Sequence, residues 1–340
     1  MLLRIAVDAK NLLHDRRGIG VYLRALLSRF IELNDVAITL VVPGIYPWRW
    51  HDTFVRQIGQ TGFSISRGVP PDANIVWHPW NGTFLSNKRC PSVATIHDVA
   101  PFAFPSNDDR ERSKQQEPFL RSASAQRIVT DSLFSRDEII RHLGVAPEKI
   151  DVVPLAADPR FTPGEPTSLP DELRGRRYVL AVGADDERKN LATLVAAYRA
   201  EFAADDVALV CVTNGTFPGA ITFKDVGFDV LQSLYRGALA FAMPSRYEGF
   251  GIPPLEAMGC GTPVVASRAS SLPEVCKDAA FYVDAFDDIS AWQEALRRIV
   301  NDEPLRRHLR DAGQQNAQMF SWNRTAEQTL EVFRRAATGL

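Results

Sequence analysis

The stretch Pro244-Ser-Arg-Tyr-Glu-Gly-Phe-Gly-Ile-Pro-Pro-Leu-Glu-Ala-Met-Gly-Cys-Gly-Thr-Pro-Val-Val-Ala266 decides how the chain is read. It carries two carboxylates, Glu248 and Glu256, with seven residues between them, including Gly249, Gly251 and the pair Pro253-Pro254. Apolar residues flank it, Ala238–Met243 before and Val264–Ala266 at its end. The pattern predicts strand, glycine loop, short helix, strand. Proline is favoured in the first turn of a helix, where its missing N–H costs nothing. The helix is therefore expected to start near Pro253 or Pro254, with Glu256 in its first turn and Glu248 in the loop ahead. A helix N-terminus offers free N–H groups and the positive end of the dipole, which suits a phosphate. The stretch thus reads as a candidate nucleotide-sugar pocket.

The remaining chain sets the frame for it. With 340 residues it is long enough for two domains of ordinary size. Hydrophobic content of 45% and charged content of 24% are those of a soluble globular protein. The net charge of -2 gives no global drive toward nucleic acid. Four scattered cysteines (Cys90, Cys211, Cys260 and Cys276) form no C-x-x-C, so a reducing compartment is expected rather than a disulfide or metal framework. The N-terminal apolar run is too short for a signal peptide, and no run spans a bilayer. Together these point to the cytoplasm.

From the N-terminus, a short strand ends in Asp8, a glycine loop follows to Gly20, and helical periodicity runs through Val21, Leu23, Leu26, Leu27 and Phe30. This is the opening of a βαβ unit. Leu23 stands where a G-x-G-x-x-G fingerprint needs its third glycine, so the loop is no dinucleotide motif, and a plain βα turn remains an alternative reading. Short β-branched runs at 37–42, 75–77, 93–96, 127–129 and 150–153 suggest a parallel sheet buried on both faces. Ser132 and Ser135 can cap a helix running to about His142, which Gly144 ends. Prolines crowd 159–170, and a linker is placed at 161–176. A second strand–loop–helix series runs from 177 to 320. Residues 213–229 look lean, as if one strand–helix unit were abbreviated there.

Several motifs together resemble the retaining GT-B glycosyltransferases of family 4, the group 1 type. They are Gly18-Ile-Gly20, Thr95-Ile-His-Asp98, Thr130–Ser135, Val153-Pro-Leu155 with Asp158, Val182-Gly183 with Arg188-Lys-Asn190, Pro244–Glu256 and Phe320-Ser-Trp322. The resemblance implies an α/β fold of two Rossmann-like domains facing each other across a cleft. The first domain, 1–160, would bind the acceptor and the second, 177–320, the nucleotide sugar. A C-terminal helix at 321–340 would cross back to the first domain. Carried to matching positions, it implies that Lys189 neutralises the donor diphosphate, Glu248 binds hydroxyls of the transferred sugar, Glu256 the ribose, and His97 the sugar near the reacting centre. Gly18 and Gly20 would face the phosphates or the acceptor, while Gly183, Gly249, Phe250 and Gly251 shape the donor loops. Many members carry Arg after the Val-Gly pair; here Ala184 stands there, and Arg188 is the nearest replacement.

The implied reaction is transfer of a hexose, mannose from GDP-mannose, to a glycan acceptor on a polyprenyl diphosphate, in bacterial surface polysaccharide synthesis. A UDP-hexose donor, a non-catalytic sugar-nucleotide binder and a GT-B epimerase are the alternatives. No Asp-x-Asp occurs, so neither cofactor nor metal is expected: Lys189 and the helix terminus would stabilise the leaving group. No carboxylate nucleophile is evident, which favours front-face displacement, and the paired-carboxylate rule of glycosidases does not apply. Trp48, Arg49 and Trp50, in Tyr46-Pro-Trp-Arg-Trp50, together with Arg56 suit an anionic inner leaflet, or else pack locally. His78 is either structural or acceptor-side.

Overall fold

The computed structural model describes residues 2–15, 18–42, 44–83, 85, 89–202 and 207–339. Arg16 and Arg17 of the expected glycine loop lie outside the described residues. The chain forms two compact units, Met1–Leu155 with Trp322–Leu340, and Ala156–Ser321.

The first unit holds β1 (Leu3–Asp8), β2 (Val36–Val41), β3 (Phe63–Ser66), β4 (Ile75–His78), β5 (Ser92–Thr95), β6 (Arg127–Thr130) and β7 (Ile150–Val152). They pair in parallel in the order β3-β2-β1-β4-β5-β6-β7. Helices α1 (Gly18–Ile31), α2 (His51–Ile58), α3 (Ala100–Ala103), α4 (Asp109–Ser122) and α5 (Leu133–Leu143) connect them. Central strands read as apolar runs because helices cover both faces; Ile5, Val7, Val76, Trp77 and Val93 are fully buried.

Sequence reasoning found α5 by its ends. Ser132 accepts the Ser135 amide at 3.0 Å, and Gly144 takes a left-handed φ of 62°. It missed β3, whose alternating serines mark a half-exposed edge strand, and α4, which buries only Phe119 and Ser122. The expected loop at Gly18–Gly20 is instead the first turn of α1. A Cβ on Gly20 would collide with the Asp15 carbonyl, to which Arg24 also donates (2.7 Å), so glycine lets the turn close over that group.

The second unit holds β8 (Arg177–Val182), β9 (Val207–Val212), β10 (Ile221–Phe223), β11 (Ala240–Met243), β12 (Val264–Ser267) and β13 (Ala280–Val283). They are parallel in the order β10-β9-β8-β11-β12-β13. Its helices are α6 (Leu191–Phe202), α7 (Phe228–Gly237), α8 (Ile252–Gly259), α9 (Leu272–Cys276), α10 (Ile289–Asn301) and α11 (Glu303–Ala317). Between β9 and β10 the described residues contain no helix, which accounts for the lean composition of that region. The last helix, α12 (Trp322–Thr338), belongs to the first unit. Its Phe333 packs on Trp77 (5.3 Å) and Phe30 (6.0 Å), and Thr325 donates to the Pro154 carbonyl at 2.7 Å.

The proline-rich segment at 161–176 is not a free linker. Phe161 packs tilted against Phe228 (4.9 Å) and edge-on against Tyr235 (5.6 Å) of α7, Arg236 donates to the Thr162 carbonyl (2.8 Å), and the Ser168 amide donates to Ser233 (2.9 Å). Prolines forbid regular elements here without forbidding packing. The boundary between the units accordingly falls at residue 155.

Both sheets share the relative strand order 3-2-1-4-5-6 of dinucleotide-binding folds, with β7 added to the first. Chain direction reverses its course across the sheet between β1 and β4, and again between β8 and β11. Ligands of such sheets bind beyond the strand carboxyl ends at those switch points.

Candidate donor site and the histidine edge

In the second unit the loops leaving β8 and β11 flank the switch point. After Val182, the Gly183 amide donates to the Val212 carbonyl at 3.0 Å. Asp186 caps the turn Glu187–Lys189 by accepting the Lys189 amide at 3.1 Å. Asn190 follows in a left-handed conformation (φ 52°), which asparagine tolerates, and its side-chain amide donates to the Phe286 carbonyl at 3.0 Å. This fixes the Lys189 backbone. Its ammonium meets both oxygens of Glu248, at 2.7 and 2.9 Å, with side-chain exposures of 16% and 9%. So short and dry a pair is held against a desolvation cost.

Glu248 is fixed by a loop from β12. Its amide donates to Ser270 (3.0 Å), and the Ser271 hydroxyl is positioned to donate to the carbonyls of Glu248 (2.9 Å) and Phe250 (2.8 Å). Gly251, at φ 101°, turns the chain into α8; a side chain there would be strained and would press on Leu272. The helix starts at Ile252, one residue before the expected prolines, so Glu256 lies in its second turn, not its first. Pro253 and Pro254 also remove two of the four N–H groups that this terminus would present to an anion. This terminus therefore offers an anion fewer N–H groups than the sequence suggests.

Glu256 accepts the Tyr235 hydroxyl at 2.9 Å. Burial raises its pKa from 4.5 to about 7; the Tyr235 hydrogen bond opposes this and the charge of Asp158 adds to it. Arg188 pairs with Asp186 at 3.2 Å, and its carbonyl accepts the Arg246 amide at 2.7 Å. Ala184 is exposed. Phe250 is buried edge-on against Phe320.

In the first unit, His97 lies just past β5. Its Nδ1 is 2.7 Å from Asp131, just past neighbouring β6. The His97 amide donates to Asn81 (2.6 Å), its carbonyl accepts the Ser135 hydroxyl (3.0 Å), and the Tyr22 ring stands edge-on at 4.8 Å. Burial pulls the imidazole pKa down, but the charge and hydrogen bond of Asp131 outweigh it, so the pKa is raised. Nε2 is buried and makes no hydrogen bond of good geometry.

His78 ends β4 and is buried, with its Nδ1 unpartnered; burial lowers its pKa to about 4. Asp8 ends β1, and burial raises its pKa to about 6. Trp48 is exposed, whereas Trp50 is half-buried under the Arg49 guanidinium at 4.7 Å. Sequence reasoning gave no role to Asp131, Asn81, Tyr235, Ser270 or Ser271. Only Asp131 carried a signal, as a carboxylate just beyond the strand predicted at 127–129.

Two family models match the chain: Glycosyltransferase Family 4 over residues 15–161 and Glycosyl transferases group 1 over 223–316. O-antigen chain mannosyltransferase B of Escherichia coli is 33% identical over 275 residues, covering 74% of this chain and 72% of that protein. This chain belongs to the group 1, family 4 glycosyltransferases. O-antigen chain mannosyltransferase RfbU of Salmonella typhimurium is 31% identical over 60% of each chain. Among solved structures, Anabaena Alr3699/HepE in complex with UDP and glucose superposes with a TM-score of 0.72 at 15% identity, covering 98% of this glycosyltransferase and 100% of that chain. That likeness establishes the GT-B fold of the two Rossmann-like halves.

Proposed function

We propose that this glycosyltransferase moves mannose from GDP-mannose to a glycan acceptor carried on a polyprenyl diphosphate, in the assembly of a bacterial surface polysaccharide. The relatives named as O-antigen mannosyltransferases support the sugar and the pathway class. The observation that carries the donor site is the buried Lys189–Glu248 pair at the second switch point. A diphosphate would take the ammonium, while Glu248, held by Ser270 and Ser271, accepts hydroxyls of the transferred sugar. Glu256 in its ionised form accepts the ribose hydroxyls, and Arg188 is a weaker phosphate ligand because it already serves Asp186.

Glycosyl transfer builds positive charge on the sugar and negative charge on the leaving phosphate, so fixed charges do most of the work. With Lys189 on the leaving group, the reaction needs no metal and proceeds by front-face displacement with retention. The enzyme meets such an acceptor by docking on the membrane surface through the exposed Ile45, Tyr46 and Trp48, beside Arg49 and Arg56. No helix among the described residues is long and apolar enough to cross a membrane.

A thermal-shift panel of GDP, UDP, GDP-mannose and UDP-glucose tests this reading. A ligand at 100 times its Kd stabilises by about 2.7 kcal/mol. Stabilisation by GDP-mannose alone supports the proposal, stabilisation by UDP-glucose transfers it to a UDP-hexose, and none by any nucleotide ends it. The anomeric configuration of the product, read by NMR, tests retention.

A further inference from the structure

We propose that Asp131 is the positioning residue of His97: it accepts the imidazole Nδ1–H and so fixes the ring, leaving Nε2 to meet a hydroxyl of the bound sugar. This rests on the reading of the chain as a sugar-transferring enzyme and adds a residue to it. The argument starts from topology. Strands β5 and β6 are parallel neighbours, with Thr95 opposite Val129, so the residues just beyond them, His97 and Asp131, emerge side by side. Their contact at 2.7 Å is nearly sealed, with side-chain exposures of 10% and 2%.

The ring is flanked and its backbone is anchored. Tyr22 stands against it at 4.8 Å, Asn81 holds its amide and Ser135 its carbonyl. With Nδ1 committed to Asp131, Nε2 is the ring nitrogen left to meet a ligand; the Pro79 carbonyl lies close enough to raise the imidazole pKa, but no hydrogen bond of good geometry forms at Nε2. Buried polar atoms without partners are rare in proteins and ask for a ligand or water. The second oxygen of Asp131 is likewise buried and has no hydrogen-bond partner.

The charged and titratable groups around the ring are Asp131 from the β6–α5 junction, Asp98 next in the chain, and Tyr22 from α1. Both carboxylates favour the imidazolium, and the tyrosine, its own pKa raised by burial, stays neutral. The resulting pair is the arrangement that fixes tautomer and ring orientation wherever a carboxylate backs a working histidine.

The test combines imidazole NMR with kinetics. The chain has six histidines, so ¹⁵N-labelled imidazoles are resolvable, and His97→Gln assigns the signal. In the wild type, His97 should hold its Nδ1 proton and titrate above the ordinary histidine value of about 6.5. Asp131→Asn keeps an acceptor but removes the charge. The midpoint should then fall, kcat should drop by roughly tenfold to a hundredfold as for other histidine-backing groups, and KM for the donor should barely move. Asp131→Glu should restore part of both. An unchanged midpoint and Nδ1 proton in a folded Asp131→Asn protein would overturn the proposal. The spectrum needs no substrate: a protein with this spectrum but no transfer activity refutes the functional reading and leaves the Asp131–His97 coupling standing.

Discussion

The two sheets have the same strand order but finish their carboxyl edges in opposite ways. In the second unit the charged groups at the edge are paired: Lys189 with Glu248, Arg246 with Asp287, and Glu256 with the Tyr235 hydroxyl. In the first unit the edge keeps buried titratable groups with atoms that have no hydrogen-bond partner, on Asp8, His78, His97 and Asp131, whereas past β11 in the second unit such an atom, on Ser245, belongs to a neutral hydroxyl. Paired charges pre-position an edge for a ligand whose charge is fixed, as a diphosphate is. Unpartnered atoms leave hydrogen-bonding capacity to be met by hydroxyls or water. One topology thus carries two edge chemistries, and the difference lies in a few residues just past the strand ends.

The sharpest way to break this contrast is to break the Lys189–Glu248 pair. Lys189→Ala leaves a buried carboxylate uncompensated and should cost roughly 3–5 kcal/mol of stability. Transfer should fall by about a hundredfold to a thousandfold, the scale set by losing one preorganised electrostatic group. The double variant Lys189→Met/Glu248→Leu should recover stability in thermal unfolding but not transfer. Equal unfolding temperatures for single and double variants would mean that the pair is not desolvated, and the contrast would collapse.

The next effect is the pH dependence of Glu256. Its folded pKa of about 7 exceeds its unfolded value of 4.5, so the folded state binds the extra proton. Stability therefore falls as pH rises from about 4.5 to 7, by at most about 3 kcal/mol. Donor affinity should run the other way, tightening from pH 6 to 8 as the carboxylate ionises. Glu256→Gln should flatten both profiles; a slope that survives in that variant assigns the effect to another group.

In the first unit the two pH effects oppose each other. Asp8, raised from 3.8 to about 6, adds stability as pH falls through that window. His78, lowered from 6.5 to about 4, removes stability as pH falls through nearly the same one. Urea unfolding of the wild type should show little net contribution from this pair between pH 4.5 and 6. His78→Gln should make the protein relatively more stable in acid, and Asp8→Asn relatively less. The smallest expected change is at the protruding loop. Tyr46→Ser with Trp48→Ser should shift stability by under about 0.5 kcal/mol, as exposed substitutions do, yet abolish flotation with anionic liposomes. Undiminished flotation would remove the membrane role.

The clustering of residues at the second unit's edge was legible in the sequence because it is local. Glu248, the glycines and Glu256 lie within one loop and helix, and Lys189 follows the one strand–glycine junction that opens the second half. The helix start was misplaced by a residue because proline is welcome at any of the first helical positions. The Gly18–Gly20 loop was misread because a close approach to the Asp15 carbonyl, not a turn, is what demands glycine at position 20. Asp131 lay in a quoted motif, but its contact with His97 was not legible because it depends on β5 and β6 being neighbours, which no spacing within 95–131 records. Ser270 and Ser271 were missed for the same reason: they act on Glu248 from the next strand's loop. The segment at 161–176 shows the converse error, in which the absence of regular structure was taken for the absence of packing.

The most direct test of the central claim is GDP-mannose turnover by the wild type and by Lys189→Ala and Glu248→Gln, each checked for folding, with a lipid-linked glycan acceptor. The account predicts mannose transfer with retained configuration by the wild type and loss of at least about two orders of magnitude in both variants. Transfer that persists at wild-type rate in either variant would contradict it.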